Sequence, residues 1–390
     1  MVSRTLGTAA PISKPAMKLL VFAHPPPPVH GQSLMVRTLL DGLPGAAPGL
    51  EVHCVAPRLS RDAADIGRPR PGKLIPLLGA CLRALRLRVR HGPMVFYYVP
   101  APGRRAALYR DWVVLLLCRP FFHALVLHWH AVGLGGWLAA HATPPERWLT
   151  RALLGRADLA LVLAPELADD ARALAPRRVA VVPNGLADPS SAARPEPAAP
   201  APDDPAAPFE LLFLGLGSRE KGLFVTLEAL ALALAREPGG YRLTVAGGFA
   251  SPGDERAFHA RAAALGPGAV RHVGFADEAR KRALFATAGL FCFPTAYPHE
   301  GQPLVLLEAL AHDVPIVTTR WRGIPGLLPA GGGHFWFVDA GDPAQLALVF
   351  HAARRAGPAG GALRRHYLAH FTADRHLAVL AAALRSVDVS

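Results

Sequence analysis

Short apolar runs alternate with longer helix-like segments along almost the whole chain, and this rhythm constrains the fold more than any other feature. Runs that are apolar on both faces are typical of parallel strands that helices cover on both sides. A chain of 390 residues also exceeds what a single core usually supports. The sequence therefore predicts an α/β protein with two doubly wound, Rossmann-like parallel-sheet domains that face each other across a cleft.

The predicted strands form two sets of six. The first set is KLLVFA (18–23), EVHCVAP (51–57), MVFYYVP (94–100), ALVLHWH (124–130), ADLALVLAP (157–165) and RVAVVPNG (178–185). The second set is FELLFLG (209–215), YRLTVAGG (241–248), VRHVGF (270–275), LFCFPT (290–295), PIVTT (315–319) and HFWFVDA (334–340). Residues 187–208, rich in proline and alanine without a hydrophobic period, are interpreted as a linker. Residues 1–186 and 209–370 are then the two domains, and residues 371–390 are expected to form a helix that could pack back on the first domain.

The net charge of +13 lies almost wholly in the first half of the chain. Residues 1–190 contain 23 Lys and Arg against 11 Asp and Glu, whereas residues 191–390 contain 19 against 18. Residues 58–110 alone hold 12 basic residues and two acidic ones. This segment includes an amphipathic helix, LLGACLRALRLRVRHG, with Arg83, Arg86 and Arg90 on one face and leucines on the other, which suits an anionic membrane surface.

Other interpretations of the charge stay open. The chain carries 37 Arg and only 5 Lys, which fits a bias in codon usage, and charged runs are often ordinary solvated faces. Nucleic acid is not expected as a partner, because the sequence shows no interleaved aromatics, zinc-ligand spacing or recognition-helix pattern.

Cysteine usage and hydropathy indicate the compartment. The cysteines at 54, 81, 118 and 292 are far apart and form no Cys-x-x-Cys pair, so we expect reduced core residues. The first 16 residues lack the apolar run of a signal peptide, and the most apolar stretch, WVVLLLCRPFFHALVLHW, is interrupted by Arg119 and Pro120. We therefore expect a cytoplasmic protein, with peripheral attachment at the inner membrane face as a further hypothesis.

A glycine turn after the strand LLFLG is the first candidate binding site. Gly215-x-Gly217 at a strand-to-helix turn is part of a dinucleotide fingerprint, but Glu220 stands where the third glycine belongs. Arg219 and Lys221, next to a helix N-terminus, instead favour a phosphate site. Lys221 is one of only five lysines, which weighs against the alternative of an ordinary turn with exposed charges.

The stretch PHEGQPLVLLEAL (298–310) forms the second candidate site. Pro303 suits the first position of a helix, and the amides of Gly301, Gln302 and Leu304 would then point towards a diphosphate at the positive end of the helix dipole. Glu300, just before this helix, is expected at the mouth of the cleft, although it could also be a plain capping acid.

Glu308 lies on the second turn of the same helix, which is apolar on nearly all sides. A buried carboxylate needs hydrogen-bond donors to offset its desolvation. The two hydroxyls of a ribose would supply them, so Glu308 is predicted to bind the sugar of a nucleotide.

These residues resemble a known family. HEGQPLVLLEAL matches the Glu-x7-Glu signature of retaining glycosyltransferases with the GT-B fold, in particular glycosyltransferase family 4. The similarity is close over PTAYPHEGQPLVLLEALAHDVPIVTTRWRGIP and weaker elsewhere. The weaker matches are PPPPVHGQS to the first loop, HWH to the histidine strand, VVPNG to the end of the first domain and SREKG to the phosphate-binding turn.

The resemblance implies a role for each matching residue. Glu308 would hold the nucleotide ribose, Glu300 the donor sugar near the reacting centre, and Arg219 and Lys221 the diphosphate. His130, at the end of its strand, would face the donor sugar, although a lone strand histidine is most often a core residue.

The family's first loop closes over the donor, which implies contacts from Gly31 and Gln32. The sequence departs from the family pattern at Leu216, where many members have the turn arginine, and at Gly326, where many have a glutamate. These departures leave the reach of Arg219 in question and do not touch the paired glutamates.

The implied activity is retaining transfer of a hexose from a nucleoside-diphosphate sugar, expected to carry UDP or GDP, to a glycolipid or polysaccharide acceptor. No cofactor is expected beyond this donor. Nor is a metal, because His128 and His130 lack an evident third ligand and the chain contains no Asp-x-Asp. Two alternatives stay open: another nucleotide-sugar enzyme on the same scaffold, such as a hydrolysing epimerase, and a non-catalytic nucleotide-sugar-binding protein.

Overall fold

The computed structural model describes residues 17–57, 71–189 and 207–387. Within these ranges it contains two six-stranded parallel sheets, with the orders β2-β1-β3-β4-β5-β6 and β12-β11-β10-β7-β8-β9. The strands are β1 (Met17–Phe22), β2 (Leu50–Val55), β3 (Val95–Tyr98), β4 (Ala124–Trp129), β5 (Leu159–Val162), β6 (Val179–Val181), β7 (Phe209–Leu214), β8 (Tyr241–Ala246), β9 (Val270–His272), β10 (Leu290–Phe293), β11 (Ile316–Thr319) and β12 (Phe335–Val338). Each strand overlaps one of the twelve predicted runs, and the predicted fold class is confirmed.

Helices follow most of the strands and cover both sheets. They are α1 (Gly31–Ala46), α2 (Leu74–His91), α3 (Arg105–Cys118), α4 (Leu134–His141), α5 (Pro144–Leu154), α6 (Asp169–Arg172), α7 (Leu223–Arg236), α8 (Pro252–Ala264), α9 (Glu278–Thr287), α10 (Leu304–Ala311), α11 (Pro343–Ala356), α12 (Ala362–His370) and α13 (Ala373–Arg385). No helix in the part of the chain that the structure describes has both the length and the hydropathy needed to cross a bilayer.

The first sheet separates two apolar layers because successive side chains of a strand point to opposite faces. On β4, Leu127 joins the layer under α2 to α6, whereas Val126 joins the layer under α1 and α13. Both side chains are essentially buried. The second domain has a single large core around its own sheet.

The last helix, α13, packs on the first domain although it follows the second in sequence. Leu377, Leu380 and Leu384 lie in the same apolar layer as Leu39 and Leu43 of α1. The chain returns at a crossing where the Leu186 amide donates to the Phe371 carbonyl (2.9 Å) and the Ala373 amide donates to the Leu186 carbonyl (2.7 Å). Most of the predicted linker, residues 190–206, lies outside the described residues, as do residues 1–16 and 388–390.

Helix α2 corresponds to the predicted amphipathic helix, but its apolar residues do not form one buried face. Leu77 and Ala80 are buried in the first domain, whereas Leu78 and Leu82 are exposed. Residues 58–70 of the basic segment lie outside the described part of the chain. Leucines of α2 therefore lie on both its covered and its exposed sides.

Three of the four cysteines are buried as expected, namely Cys81, Cys118 and Cys292. Cys54 is exposed, because it lies on β2 at the edge of the first sheet, and the prediction that it is a core residue is wrong.

Substitution of Leu380 by alanine should test how much α13 stabilises the first domain. The side chain is fully buried, and removing a leucine of this kind costs about 2–5 kcal/mol of unfolding free energy. Leu348 on α11, which is 56% exposed, is the matched control and should cost no more than about 0.5 kcal/mol. Urea unfolding of both variants measures the difference, and equal losses would contradict the packing role of α13.

Candidate functional site

The two domains meet at loops that follow their strands. His130 follows β4, and its carbonyl oxygen lies so close to Gly301 that a Cβ there would be 2.5 Å from it. His299 Nδ1 is hydrogen-bonded to the Val132 carbonyl at 2.9 Å. The predicted PHEGQ loop of the second domain therefore lies directly against the end of the predicted histidine strand of the first.

The predicted phosphate turn connects β7 to α7. Gly222 precedes the first residue of α7 with φ of +85°. A Cβ at this position would lie 2.3 Å from the Pro294 carbonyl oxygen. Only glycine therefore allows the turn to approach the end of β10 this closely, and the approach brings Lys221 beside the PHEGQ loop.

Lys221 and Glu300 form an ion pair in the cleft. The Lys221 Nζ lies 2.6 Å from Glu300 Oε2 and 4.5 Å from the centre of the Tyr297 ring. The Thr295 hydroxyl donates to the same Glu300 oxygen at 3.3 Å. Glu300 is buried, so its charge requires this neutralising partner. Two residues that the sequence assigned to different motifs are thus brought into one site.

Arg219 lies elsewhere. Its side chain is exposed, and its guanidinium lies 5.0 Å from the centre of the Phe224 ring. No contact between Arg219 and either signature glutamate is found among the described residues.

Glu308 has a protein partner that the sequence analysis missed. Its Oε1 atom lies 2.6 Å from the Nζ of Lys281, which also contacts Glu278 Oε1 at 2.5 Å. Burial raises the pKa of Glu308, and the positive charge of Lys281 opposes this shift. The expectation that only ligand hydroxyls could offset the buried charge is therefore wrong. One signal was available, since Lys281, like Lys221, is one of five lysines.

The second oxygen of Glu308 is the more informative one. Oε2 is buried and has no hydrogen-bond partner among the described residues. Buried polar atoms are seldom left unpaired. Among the described residues, this oxygen therefore keeps an unused capacity to accept a hydrogen bond.

The backbone amide of Gln302 is predicted to face the donor, and the rest of the residue contacts the first domain. Its side-chain Oε1 accepts from the Asn184 amide at 2.6 Å, and its carbonyl accepts from Asn184 Nδ2 at 3.1 Å. Both residues are buried. The Gln302 side chain thus joins the two domains. Its partner, Asn184, belongs to the VVPNG run at the end of the first domain.

Pro303 is the residue that caps α10 rather than its first helical residue. The helix begins at Leu304, whose side chain lies against Gly31, with 3.7 Å between Leu304 Cδ1 and a Cβ built on Gly31. The first residues of α1 and α10 therefore meet across the domain boundary, with Gln32 half-buried beside them. Two helix N-termini at one place favour a negatively charged ligand.

His130 is held neutral. Burial, with smaller effects from the charges of His376 and His30, lowers the pKa of His130 to about 3. Its ring lies 4.1 Å from that of His128, centre to centre, and His128 Nδ1 is hydrogen-bonded to the Tyr97 hydroxyl. At neutral pH the His130 ring therefore carries no positive charge, and it can donate one hydrogen bond and accept another.

Sequence comparison gives a family match over most of the second domain. Residues 208–351 match the family model described as "Glycosyl transferases group 1". Amylovoran biosynthesis glycosyltransferase AmsK of Erwinia amylovora is 28% identical over 148 residues, which cover 36% of this chain and 35% of AmsK. The match thus spans about a third of the length of this curated relative.

Structural comparison extends over both domains. Sucrose-phosphate synthase of Thermosynechococcus elongatus superimposes with a TM-score of 0.69 at 18% identity, covering 95% of this chain and 98% of that one. Anabaena HepE, solved in complex with UDP and glucose, gives a TM-score of 0.63 at 17% identity, with coverage of 94% and 99%. At such identities the likeness shows the fold alone. The chain has the GT-B fold.

The depressed pKa of His130 predicts a pH-dependent stability. A histidine with a folded pKa of about 3 binds a proton more readily when unfolded, where its pKa is about 6.5, so stability falls as pH falls through that interval. His130→Asn should reduce the slope of unfolding free energy between pH 6 and 4 by up to about 1.4 kcal/mol per pH unit. Urea unfolding at several pH values measures this slope. His259→Asn, at an exposed helix position, is the control, and an unchanged slope for the His130 variant would contradict the assignment.

Proposed function

We propose that this protein is a retaining glycosyltransferase that moves a hexose from a nucleoside-diphosphate sugar to a glycolipid or polysaccharide acceptor. The observation that carries the proposal is a pair of lysine-bound carboxylates, Glu300 just before α10 and Glu308 on its second turn. The match of this domain to glycosyl transferases group 1 supports it. The name of AmsK, an amylovoran biosynthesis glycosyltransferase, supports a polysaccharide product.

The diphosphate would bind between the two domains. Departure of a nucleoside diphosphate places negative charge on its β-phosphate, and preorganised positive groups stabilise that charge best. Lys221 and the N-termini of α1 and α10 supply such groups. We assign this neutralisation to the protein itself, with no cofactor beyond the donor, and Arg219 would join after leaving Phe224.

The donor sugar would lie between Glu300 and His130. As the bond to the leaving group lengthens, the sugar gains positive character, which the Glu300 carboxylate would stabilise. His130 is neutral at physiological pH and would orient sugar hydroxyls by hydrogen bonding. Closure of the domains would exclude water and favour transfer over hydrolysis.

The nucleotide ribose would bind at Glu308. The unpartnered Oε2 atom accepts one hydroxyl, and a shift of Lys281 towards Glu278 would free Oε1 for the second. We expect UDP or GDP as the nucleotide, and the complex of HepE with UDP and glucose supports a donor of this class.

The acceptor side would face an anionic membrane. On α2, Ile75, Leu78, Leu82 and Val89 are exposed large apolar residues, and Arg83, Arg86 and Arg90 are exposed on the adjacent side. A helix surface that combines apolar and arginine side chains binds lipid head groups through burial and charge together. This surface would hold the protein at the inner membrane face near a lipid-linked acceptor.

The glutamate assignments lead to a paired prediction. Glu308→Ala should weaken binding of the donor by about 10- to 100-fold, because a hydrogen bond to a charged group contributes about 1.5–3 kcal/mol. Glu255→Ala, which removes an exposed glutamate of α8, is the matched control and should leave donor affinity unchanged. Calorimetry with a panel of UDP-, GDP- and ADP-sugars measures both.

Glu300→Gln should lower turnover while largely retaining donor affinity. Released nucleotide measures turnover, and product analysis separates transfer from the alternative of a hydrolysing epimerase. Binding of the donor without turnover by the parent would instead identify a binding protein. Parent-like binding and turnover in both the Glu300 and Glu308 variants would refute the site.

The membrane surface can be tested with vesicles. Changing Arg83, Arg86 and Arg90 together to glutamine should weaken binding to anionic phosphatidylglycerol vesicles by about 100-fold, at roughly 1 kcal/mol per arginine. The matched control changes three exposed arginines of the second domain, Arg256, Arg280 and Arg355. Co-sedimentation measures binding, and equal affinity of the two variants would exclude α2 as the contact.

A further inference from the structure

Three potential metal ligands meet outside the cleft, at the edge of the first sheet. Glu51 and His53 are two residues apart on β2, so their side chains leave the same face of the strand. His91 is the last residue of α2. One ligand atom from each residue lies within 4.8 Å of the other two, and all three residues are half-buried.

The spacing is close to that of a metal site. The Glu51 Oε1 atom lies 3.4 Å from His91 Nδ1 and 2.7 Å from His53 Nε2, and the two imidazole rings are 4.2 Å apart, centre to centre. Ligands bound to zinc at about 2.0–2.1 Å in a tetrahedron lie about 3.3 Å apart. The Glu51 and His91 atoms already have this spacing, whereas the hydrogen bond between Glu51 Oε1 and His53 Nε2 at 2.7 Å would lengthen on metal binding.

A neighbouring lysine, Lys18, contacts both His91 and Glu51. The Lys18 Nζ donates to the His91 carbonyl at 2.6 Å and lies 4.0 Å from the Oε2 atom of Glu51. The ammonium group is thus bound chiefly by the end of α2. The other carboxylate oxygen, Oε1, is left facing the two imidazoles. The positive charge of Lys18 will reduce affinity for a cation, so moderate rather than very tight binding is expected.

We propose that Glu51, His53 and His91 bind a divalent transition-metal ion, with Zn²⁺ as the expected occupant. Two imidazoles and one carboxylate are ligands that zinc accepts and that magnesium and calcium do not favour. The half-exposed side chains leave the fourth position to water. The ion would join the edge strand β2 to the end of α2.

The position indicates a structural ion. Lys18 and Glu51 are paired near the beginnings of β1 and β2, whereas the cleft lies beyond the carboxyl ends of the parallel strands. The metal would therefore stabilise the α2 helix without contacting the donor. This inference is independent of the proposed transferase activity.

The experiment uses the full-length chain without a polyhistidine tag, freed of metal by chelation. Titration with Zn²⁺ in competition with a chromophoric chelator should give one ion per chain from this site, and Co²⁺ should give the absorption of a tetrahedral site. His53→Gln combined with His91→Gln should lower affinity at least about tenfold, because even outer-shell partners of metal ligands are worth this much. His141→Gln, at the exposed end of α4, should bind like the parent.

Thermal unfolding provides a second readout. Zn²⁺ should raise the melting temperature of the parent and of His141→Gln but not that of the double variant, and Mg²⁺ should raise none of them. Failure of the parent to bind Zn²⁺ at about 100 μM, well above typical site affinities, would overturn the proposal and leave a hydrogen-bonded cluster only. Equal binding by parent and double variant would overturn it as well. Should the double variant not fold, Glu51→Gln takes its place, and the parent titration remains decisive.

Discussion

The close contact between Gly301 and the carbonyl oxygen of His130 is the constraint on which the rest of the site depends. A Cβ at position 301 would lie 2.5 Å from that oxygen, so no other residue allows the PHEGQ loop to approach the first domain this far. At the next residue, the hydrogen bonds between Gln302 and Asn184 keep the loop against the first domain. Together these contacts determine where Glu300 and the start of α10 lie relative to β4.

Each of the two signature glutamates is neutralised by one lysine. Two of the five lysines in the chain pair with the two glutamates that stand eight residues apart. A buried carboxylate without a partner is costly, and a buried ion pair gains little over apolar packing. Such pairs are most useful where a ligand can exchange with one member. Glu308, with one oxygen bound and the other unpartnered, has this property.

Much of the fold could be predicted, because strand identity depends on local pattern. Runs such as KLLVFA and LFCFPT are apolar on both faces, and only a covered parallel sheet buries both. The contacts of the site could not be predicted in the same way. Lys281 and Glu308 are 27 residues apart, and Asn184 and Gln302 are 118 apart. The local sequence around a residue does not indicate which distant side chain will contact it in the folded protein.

The exposed surface of helix α2 could not be predicted from the sequence either. Its leucines occupy several sides of the helix, so periodicity alone does not decide which of them a neighbour covers. In the structure Leu77 is covered and Leu78 is not. The cluster of Glu51, His53 and His91 likewise forms only because α2 ends beside the edge strand.

The return of α13 to the first domain has a consequence for synthesis. Domains generally fold as units, the N-terminal one first, while the rest of the chain is still being made. Here one apolar layer of the first domain includes Leu377, Leu380 and Leu384, which are synthesised only after the strands of the second domain. Until then the nascent first domain exposes the surface that α13 will cover, and its maturation waits until the second domain has been synthesised.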